Sequence, residues 1–196
     1  MTKGQETRER IVMRAAELFN MNGFSGTAIA DVMAAVELEK GGIYRHFASK
    51  DELALAAFDY SMAQVRGRVT AAVAGAGRAT DGLLGVVEVF RGYVGNPPLA
   101  GGCPIMNTAI DSDDGHPLLR DRARAALGEL HELLHSLAQR AIAQGELRPD
   151  LEPARLATVI IATMEGAVMM SLLLRDPQPL IWAADHMHDH ILAQTC

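Results

Sequence analysis

Apolar residues recur every three or four positions along almost the whole chain, and no stretch alternates clearly between apolar and polar residues. The first spacing gathers apolar side chains on one face of an α-helix, whereas alternation is typical of a half-buried β-strand. Aromatic residues make up only 5% of the 196 residues, while Ala, Leu and Met are abundant. This composition favours helix-on-helix packing over a β-sandwich, so the sequence predicts an all-α protein.

Glycine, proline and polar clusters interrupt the helical pattern and divide the chain into about nine predicted helices. We expect these helices at residues 7–20, 28–35, 39–46, 49–74, 81–93, 104–110, 118–143, 153–174 and 180–193. Gly23 is expected to end the first helix with a positive φ, Thr27 to cap the second and Ser49 to cap the fourth. The acidic run Asp111–Asp114 lacks an EF-hand spacing, and residues 111–117 are expected to form a solvated loop.

The net charge of −6 is unevenly distributed. Residues 1–50 carry seven Lys and Arg against six Asp and Glu, whereas residues 51–196 carry eleven against eighteen. DNA affinity depends on local contacts to phosphate rather than on the charge of the whole chain. The acidic excess therefore does not exclude a nucleic-acid partner for the N-terminal segment.

Cysteine use and hydropathy bear on several other classes of protein. Cys103 and Cys196 have neither a CxxC nor a zinc-ligand spacing, so no disulfide framework is implied. No apolar run reaches about 18 uninterrupted residues, and the polar N-terminus is unlike a secretory signal. We therefore expect a soluble cytoplasmic protein with no membrane span.

Residues 27–46 have the lengths of two short helices joined by a tight turn, as in a helix-turn-helix, whose second helix lies in the DNA major groove. Val32, Leu38 and Ile43 are expected to lock the two helices together. The Gly41–Gly42 pair costs a helix about 1 kcal/mol per residue against Ala, which makes sense if the helix must approach DNA closely. From the lengths alone, an ordinary αα-corner fits equally well.

The segment TAIADVMAAVELEKGGIYRHFASKDEL (residues 27–53) resembles the DNA-binding segment of the TetR family of regulators. The matching residues are Thr27, Val32, Gly42, Ile43, Tyr44, His46, Phe47, Lys50 and Leu53 and, in the first helix, Ala15, Leu18, Phe19, Gly23 and Phe24. The turn departs from the family pattern, because Val36-Glu37 replaces the usual Ala-Gly. Since Glu does not adopt a positive φ easily, we expect either a turn that is built differently or backbone strain at Glu37. Glu39 replaces the usual Ser cap and is expected to weaken nonspecific DNA binding.

The resemblance implies a homodimer on a palindromic double-stranded DNA operator, usually repressing transcription until a small-molecule effector releases it. It also implies a helix-turn-helix domain at residues 1–48 and a helical ligand-binding and dimerisation domain at residues 49–196. The DNA contacts that it implies are Thr27, Lys40, Gly41, Tyr44, His46 and Lys50. A capping or packing role is the alternative for His46, and Phe47 is expected to pack in the core.

The family places its dimer interface on the last two long helices, and the sequence supports this independently. Residues 156–174 are almost wholly apolar, with Glu165 as the only charge. A helix that is apolar all round is buried on all sides, either by a second subunit or as the central helix of a monomeric bundle. The predicted interface residues are Met164, Leu172, Ile181, Trp182 and Ile191. Trp182 could equally pack within its own subunit.

The resemblance also places a ligand pocket between the middle helices. The candidate lining residues, each of which could equally be simple core, are Phe58, Met62, Phe90, Tyr93, Cys103, Met106, Asn107 and Met169. Methionine-rich walls favour an apolar or aromatic effector. Cys103 lies at the start of a short helix, where the helix dipole favours a thiolate, so it is either a sensor of oxidants or electrophiles or a small buried residue.

Histidine pairs and one ExxH motif allow two other interpretations. His131/His135 and His186/His190 each provide two ligands at i, i+4, whereas zinc sites normally need three or four protein ligands. Glu132 and His135 form one ExxH motif, whereas a di-iron bundle needs two. We therefore expect no metal, cofactor or catalytic residue. A helical adaptor that binds only protein stays open, although it does not explain the pattern from Tyr44 to Lys50.

Overall fold

The computed structural model describes residues 2–112 and 115–196. Within them the single β pairing is an isolated antiparallel bridge between Leu147 and Thr195. The nine helices of this part of the chain are α1 (Lys3–Gly26), α2 (Ile29–Val36), α3 (Lys40–Tyr44), α4 (Lys50–Ala74), α5 (Ala79–Arg91), α6 (Pro104–Ser112), α7 (Pro117–Ala143), α8 (Pro153–Leu174) and α9 (Gln178–Leu192). The predicted all-α fold with about nine helices is confirmed.

The predicted loop at residues 111–117 is partly wrong, because α6 continues through Asp111 to Ser112. The Ser112 hydroxyl donates to the carbonyl oxygen of Thr108 at 2.5 Å, which gives this carbonyl of the last turn of α6 a hydrogen-bond donor. Asp113 and Asp114, which belong to the same predicted loop, lie outside the described residues.

The chain forms two compact units. Unit 1 comprises residues 1–64 and 99–125, and unit 2 comprises residues 65–98 and 126–196. Helices α4 and α7 each contribute residues to both units. The predicted functional boundary at residue 48 stays a prediction.

The core of unit 1 joins the first four helices. Ile11 and Ala15 of α1 pack in one buried cluster with Val32 of α2, Ile43 of α3 and Leu53 of α4. Burying each of the larger aliphatic side chains contributes roughly 1.5–3 kcal/mol. This shared core sets the position of α2 and α3 against α1.

Side-chain caps define the ends of the helices in unit 1. Thr2 and Gln5 form a capping box at the start of α1, four residues before the predicted start. Ser49 caps α4 as predicted, since its Oγ accepts the N–H of Glu52 at 3.1 Å. The prediction that Thr27 caps α2 is wrong, because Ala28 holds that position.

In unit 2, the consecutive helices α8 and α9 pack against each other. One face of α8 buries Leu156, Ile160, Met164 and Val168, which recur every four residues. By length and a mean hydropathy of 1.9, α8 meets the criteria for a membrane span, although 44% of that stretch is buried inside the protein. A buried core helix passes the same test of length and hydropathy, so the expectation of no membrane span stays a prediction.

The burial of α8 and α9 corrects part of the predicted dimer interface. Met164 and Ile191 are fully buried within their own chain, so neither forms an exposed interface. Ile181 is half-buried. The prediction failed for Met164 and Ile191 because apolar character alone does not distinguish the inner face of a helix from its outer face.

Candidate nucleic-acid interface

Helices α2 and α3 are joined by the three-residue turn Glu37–Glu39. Val32 and Val36 of α2 and Ile43 of α3 are buried, and Leu38 in the turn is half-buried. The N–H of Leu38 donates to the carbonyl oxygen of Met33 at 3.1 Å, which fixes the path of the turn. The predicted locking of the two helices by apolar contacts is confirmed, and the arrangement is a helix-turn-helix.

Glu37 is left-handed, with φ 55° and ψ 46°. Its N–H closes the end of α2 by donating to the carbonyl oxygens of Ala34 and Met33. This conformation crowds the Cβ of an L-residue and costs roughly 1–2 kcal/mol, a cost that glycine avoids. Of the two predicted alternatives, backbone strain at Glu37 is the one that the structure shows.

The outer surface of α3 combines cations, a glycine and an aromatic ring. Lys40, Gly41, Tyr44 and Arg45 are exposed, and Tyr44 is 43% exposed. A Cβ on Gly41 would have no heavy atom within 4 Å, whereas one on Gly42 would lie 3.2 Å from the Cβ of Leu38. Gly41 therefore leaves the outer surface of α3 flat, while Gly42 lets α3 pack against the turn.

Two cations near α3 lie over aromatic rings. The Lys40 Nζ atom lies 5.8 Å from the centroid of the Tyr44 ring, a cation–π distance. The guanidinium of Arg8 lies 4.8 Å from the centroid of the buried Phe47 ring, which places a cation of α1 beside the end of the motif. Sequence spacing had not identified Arg8, because residues 8 and 47 are distant along the chain.

Lys50 and Thr27 have bonds within the protein that were not predicted. The Lys50 Nζ atom donates to the carbonyl oxygen of Phe24 at 2.6 Å and lies 4.1 Å from its ring centroid. The Thr27 hydroxyl donates to the carbonyl oxygens of Gly23 at 2.8 Å and Leu18 at 3.2 Å, and the residue is only 1% exposed. The Thr27 side chain therefore faces the protein, and its role here is to hold the start of α2.

His46 and Phe47 follow α3. His46 is half-buried, and its backbone N–H donates to the carbonyl oxygen of Ile43 at 2.9 Å. Phe47 is 1% exposed within the unit 1 core, which confirms its predicted packing role. The predicted DNA contact of His46 stays a prediction.

The predicted ligand-lining residues are divided between the two units. Unit 1 holds Phe58, Met62, Cys103, Met106 and Asn107, whereas unit 2 holds Phe90, Tyr93 and Met169. In unit 1, Phe58 and Asn107 border a cavity of ≈ 30 Å³, whereas ligand pockets usually have about 300–1,000 Å³.

The three predicted lining residues of unit 2 are Phe90, Tyr93 and Met169. Phe90 and Tyr93 stack on each other with ring centroids 5.6 Å apart. Met169 is 47% exposed on the outer face of α8. Its assignment to a pocket wall stays a prediction.

Cys103 immediately precedes α6 and is buried, with 2% of its surface exposed. Its carbonyl oxygen accepts the N–H of Asn107 at 3.0 Å, which matches the predicted position at the start of the helix. A buried sulfur is poorly accessible to an oxidant or electrophile. The burial therefore favours the structural alternative, and the sensor hypothesis stays untested.

The histidine pairs lie on helices as their spacing predicts. The ring centroids of His131 and His135 are 6.5 Å apart, and those of His186 and His190 are 6.3 Å apart. Among residues 2–112 and 115–196, no group of three or more His, Cys, Asp or Glu side chains is arranged to hold a metal ion.

The outer face of α8 and the start of α9 expose large apolar side chains. Leu173 is 80% exposed and Trp182 is 66% exposed, so Trp182 does not pack within its own subunit. Val159, Met169, Met170, Leu172 and Leu174 add to this apolar face of unit 2. Exposed apolar surface of this kind commonly marks a protein–protein contact.

Comparisons with known proteins agree with this structure. Residues 11–57 match the family model described as bacterial regulatory proteins, tetR family. Residues 79–187 match the model described as tetracyclin repressor-like, C-terminal domain. These two matches cover the helix-turn-helix and most of the remaining helices.

Individual relatives cover nearly the whole chain. A TetR transcriptional regulator from Chloroflexus aurantiacus J-10-FL is 54% identical, with a TM-score of 0.96 over 100% of this chain and 98% of that chain. A TetR-family regulator from Cytophaga hutchinsonii is 30% identical, with a TM-score of 0.90 over 100% and 98% of the two chains. The transcriptional repressor DhaR of Mycobacterium sp. strain GP1 is 26% identical over 182 residues, which is 88% of this chain and 86% of DhaR.

Proposed function

We propose that this chain, which belongs to the TetR family of bacterial regulatory proteins, is a cytoplasmic repressor that binds a palindromic DNA operator as a homodimer and is released by a small molecule. The observation that carries the proposal is the exposed surface of α3, where Lys40, Gly41, Tyr44 and Arg45 stand outward from a buried support. The support is rigid because the inward residues of α2 and α3 belong to one core.

The α3 surface suits a DNA major groove for three physical reasons. Gly41 removes the side chain that would keep the helix axis away from the base edges. Lys40 and Arg45 supply cations for phosphate, and each phosphate neutralised releases condensed counterions. Tyr44 offers a hydroxyl for a phosphate or base edge. The buried Thr27 is left out of this surface, and we assign it a positioning role.

The exposed apolar face of unit 2 supports a two-fold symmetric homodimer. A monomer would leave Leu173 and Trp182 in water, and burying apolar surface contributes roughly 25 cal/mol per Å². A symmetric pairing through this face would present two copies of α3 and require inverted half-sites about 34–36 Å apart.

Release by a small molecule requires a conformation that binds the ligand and fits the operator poorly. In unit 1 the cavity beside Phe58 and Asn107 is small, so an effector that uses these residues must enlarge it. Enlargement would displace the helices that form its walls. We infer that an apolar or aromatic effector favours such an expanded state.

Selection of bound duplexes from a random-sequence DNA library tests the proposal. We expect enriched duplexes with two inverted half-sites. Arg45→Ala should then weaken binding and reduce the salt slope by about 1. The matched control is Arg124→Ala, which removes an exposed cation from α7 and should leave both quantities unchanged. Failure to enrich any duplex, or equal effects of the two variants, would contradict the proposal.

A further inference from the structure

Two side chains of α6 hold the C-terminal end of α1, and all the residues involved belong to unit 1. Asn107 donates from Nδ2 to the carbonyl oxygen of Asn20 at 3.0 Å. Asp111, one turn further along α6, accepts the backbone N–H of Phe24 through Oδ2 at 2.6 Å. Since positions i and i+4 share a helix face, one face of α6 holds residues 20–24.

The contact is reciprocal, because Asn20 also holds the segment that leads into α6. Asn20 is only 8% exposed, and its Nδ2 atom donates to the carbonyl oxygens of Ala100 at 2.7 Å and Gly102 at 3.1 Å. Asn107 donates in addition to the carbonyl oxygen of Gly101 at 2.7 Å. We call the hydrogen bonds that Asn20, Asn107 and Asp111 form between α1, α6 and the segment before α6 the α1–α6 latch.

Two glycines with positive φ allow the close approach. At Gly23, φ is 76°, and a Cβ would lie 2.8 Å from Oδ1 of Asp111. At Gly101, φ is 99°, and a Cβ would lie 2.7 Å from the carbonyl oxygen of Asn20. A methyl group at either position would force the latch apart, so both contacts depend on glycine.

The latch continues to the start of the helix-turn-helix. Gly23 is the kink of α1, and its carbonyl oxygen accepts the Thr27 hydroxyl at 2.8 Å. Thr27 directly precedes the cap of α2. Hydrogen bonds and a short stretch of backbone therefore connect α6, through the kink, to the start of α2.

We propose that Asn107 and Asp111 are positioning residues for DNA recognition: by holding the α1 kink, α6 sets the direction of α2 and α3. The inference rests on the proposed binding of DNA through α3. Glycine adopts many backbone conformations, so the kink needs outside bonds to keep a single one. Without the latch, only a fraction of molecules has α3 in the binding geometry, and the apparent Kd rises by the inverse of that fraction.

The experiment compares Asp111→Ala with Asp111→Asn, which keeps an acceptor oxygen. The matched control is Glu146→Ala, because Glu146 in unit 2 also accepts backbone N–H groups, from Ala79 at 3.3 Å and Thr80 at 2.8 Å. Each variant is titrated with the duplex selected by the wild-type chain, well below its Tm. Hydrogen exchange of the Phe24 amide is measured alongside.

A binding-competent fraction of about 0.1–0.2 would weaken the affinity of Asp111→Ala about five- to tenfold. We expect this loss together with faster exchange at Phe24, an intermediate effect in Asp111→Asn and unchanged DNA affinity in Glu146→Ala. Gly101→Ala, which opens the latch from the other side, should lose affinity like Asp111→Ala.

Three results would overturn the inference. Unchanged DNA affinity in Asp111→Ala with faster exchange at Phe24 would make the latch purely structural. Unchanged exchange at Phe24 would mean that Asp111 does not hold this amide in solution. An equal loss of DNA affinity in Glu146→Ala would mean that the loss in Asp111→Ala comes from general destabilisation of the protein. A wild-type chain that selects no duplex would instead overturn the proposed function itself.

Discussion

Replacing Glu37 by glycine should stabilise the protein, because this residue carries the strained backbone of the turn. Its φ of 55° costs an L-residue roughly 1–2 kcal/mol. Glycine removes that cost but loses more backbone entropy on folding, roughly 0.5–1 kcal/mol. It also keeps the N–H that donates to Ala34 and Met33. The net expectation is a gain of about 0.5–1 kcal/mol.

Thermal unfolding at a fixed protein concentration measures this gain. For a chain of this size, 1 kcal/mol corresponds to roughly 2–4 °C in Tm, so we expect Glu37→Gly to raise Tm by about 1–4 °C. A fixed concentration matters because the stability of an oligomer depends on it.

Two matched variants separate backbone strain from charge. Glu37→Gln keeps the Cβ and removes the charge, so its Tm should stay near that of the wild type. Glu37→Asn should lie between Gln and Gly, since Asn tolerates the left-handed region better than most residues. All three should bind DNA more tightly and by similar factors, because each removes one acid from the turn beside α3. A Tm of Glu37→Gly at or below that of Glu37→Gln would refute the reasoning.

Three further predictions follow from single sites. Gly41→Ala should raise the free energy of unfolding by up to about 1 kcal/mol through helix propensity, and it should still weaken DNA binding. Thermal melting and DNA titration of the same sample measure the two effects. Tighter binding would contradict a close approach of α3 to DNA at this position. Burial raises the pKa of the Glu146 carboxyl, but hydrogen bonds from Thr80 and Ala79 and the charge of Arg78 outweigh this effect, so the pKa is lowered on folding. The stabilising contribution of Glu146 is therefore complete above the unfolded pKa of about 4.3 and is lost as pH falls through the lower folded pKa. Urea midpoints of Glu146→Gln should therefore depend less on pH below about 4.3 than those of the wild type, and parallel curves would argue against this capping role. Leu173→Glu should give monomers in sedimentation with helix content unchanged, since Leu173 is 80% exposed, whereas a dimer of unchanged stability would exclude this face.

The positions of the helices were predictable because local patterns determine them. Apolar spacing places a helix, and residues such as Ser49 and Pro153 mark its start. The strained turn at Glu37 was predictable because a family glycine is replaced there. These features depend on neighbours within a few positions, which the sequence displays directly.

The errors concern contacts and exposures that depend on how the chain folds and that a local pattern does not specify. Thr27 is a good N-cap by composition, but its hydroxyl bonds to α1 instead. Met164 and Met169 are equally apolar, yet one is fully buried and the other is 47% exposed. The bond between Asp111 and the Phe24 amide spans 87 positions. Asp111, which was predicted to lie in a solvated loop, therefore accepts a hydrogen bond from the end of α1.

Tyr44→Ala, titrated with the duplex selected by the wild-type chain, tests the central claim most directly. The Tyr44 side chain is exposed and lies outside the unit 1 core, so its loss should leave fold and oligomeric state unchanged. If α3 contacts the bases of the DNA groove, affinity should fall about fivefold or more, in line with the roughly 1–3 kcal/mol of a good base contact, while sedimentation of the same sample still shows the dimer. Wild-type affinity in this variant would contradict the proposed docking of α3.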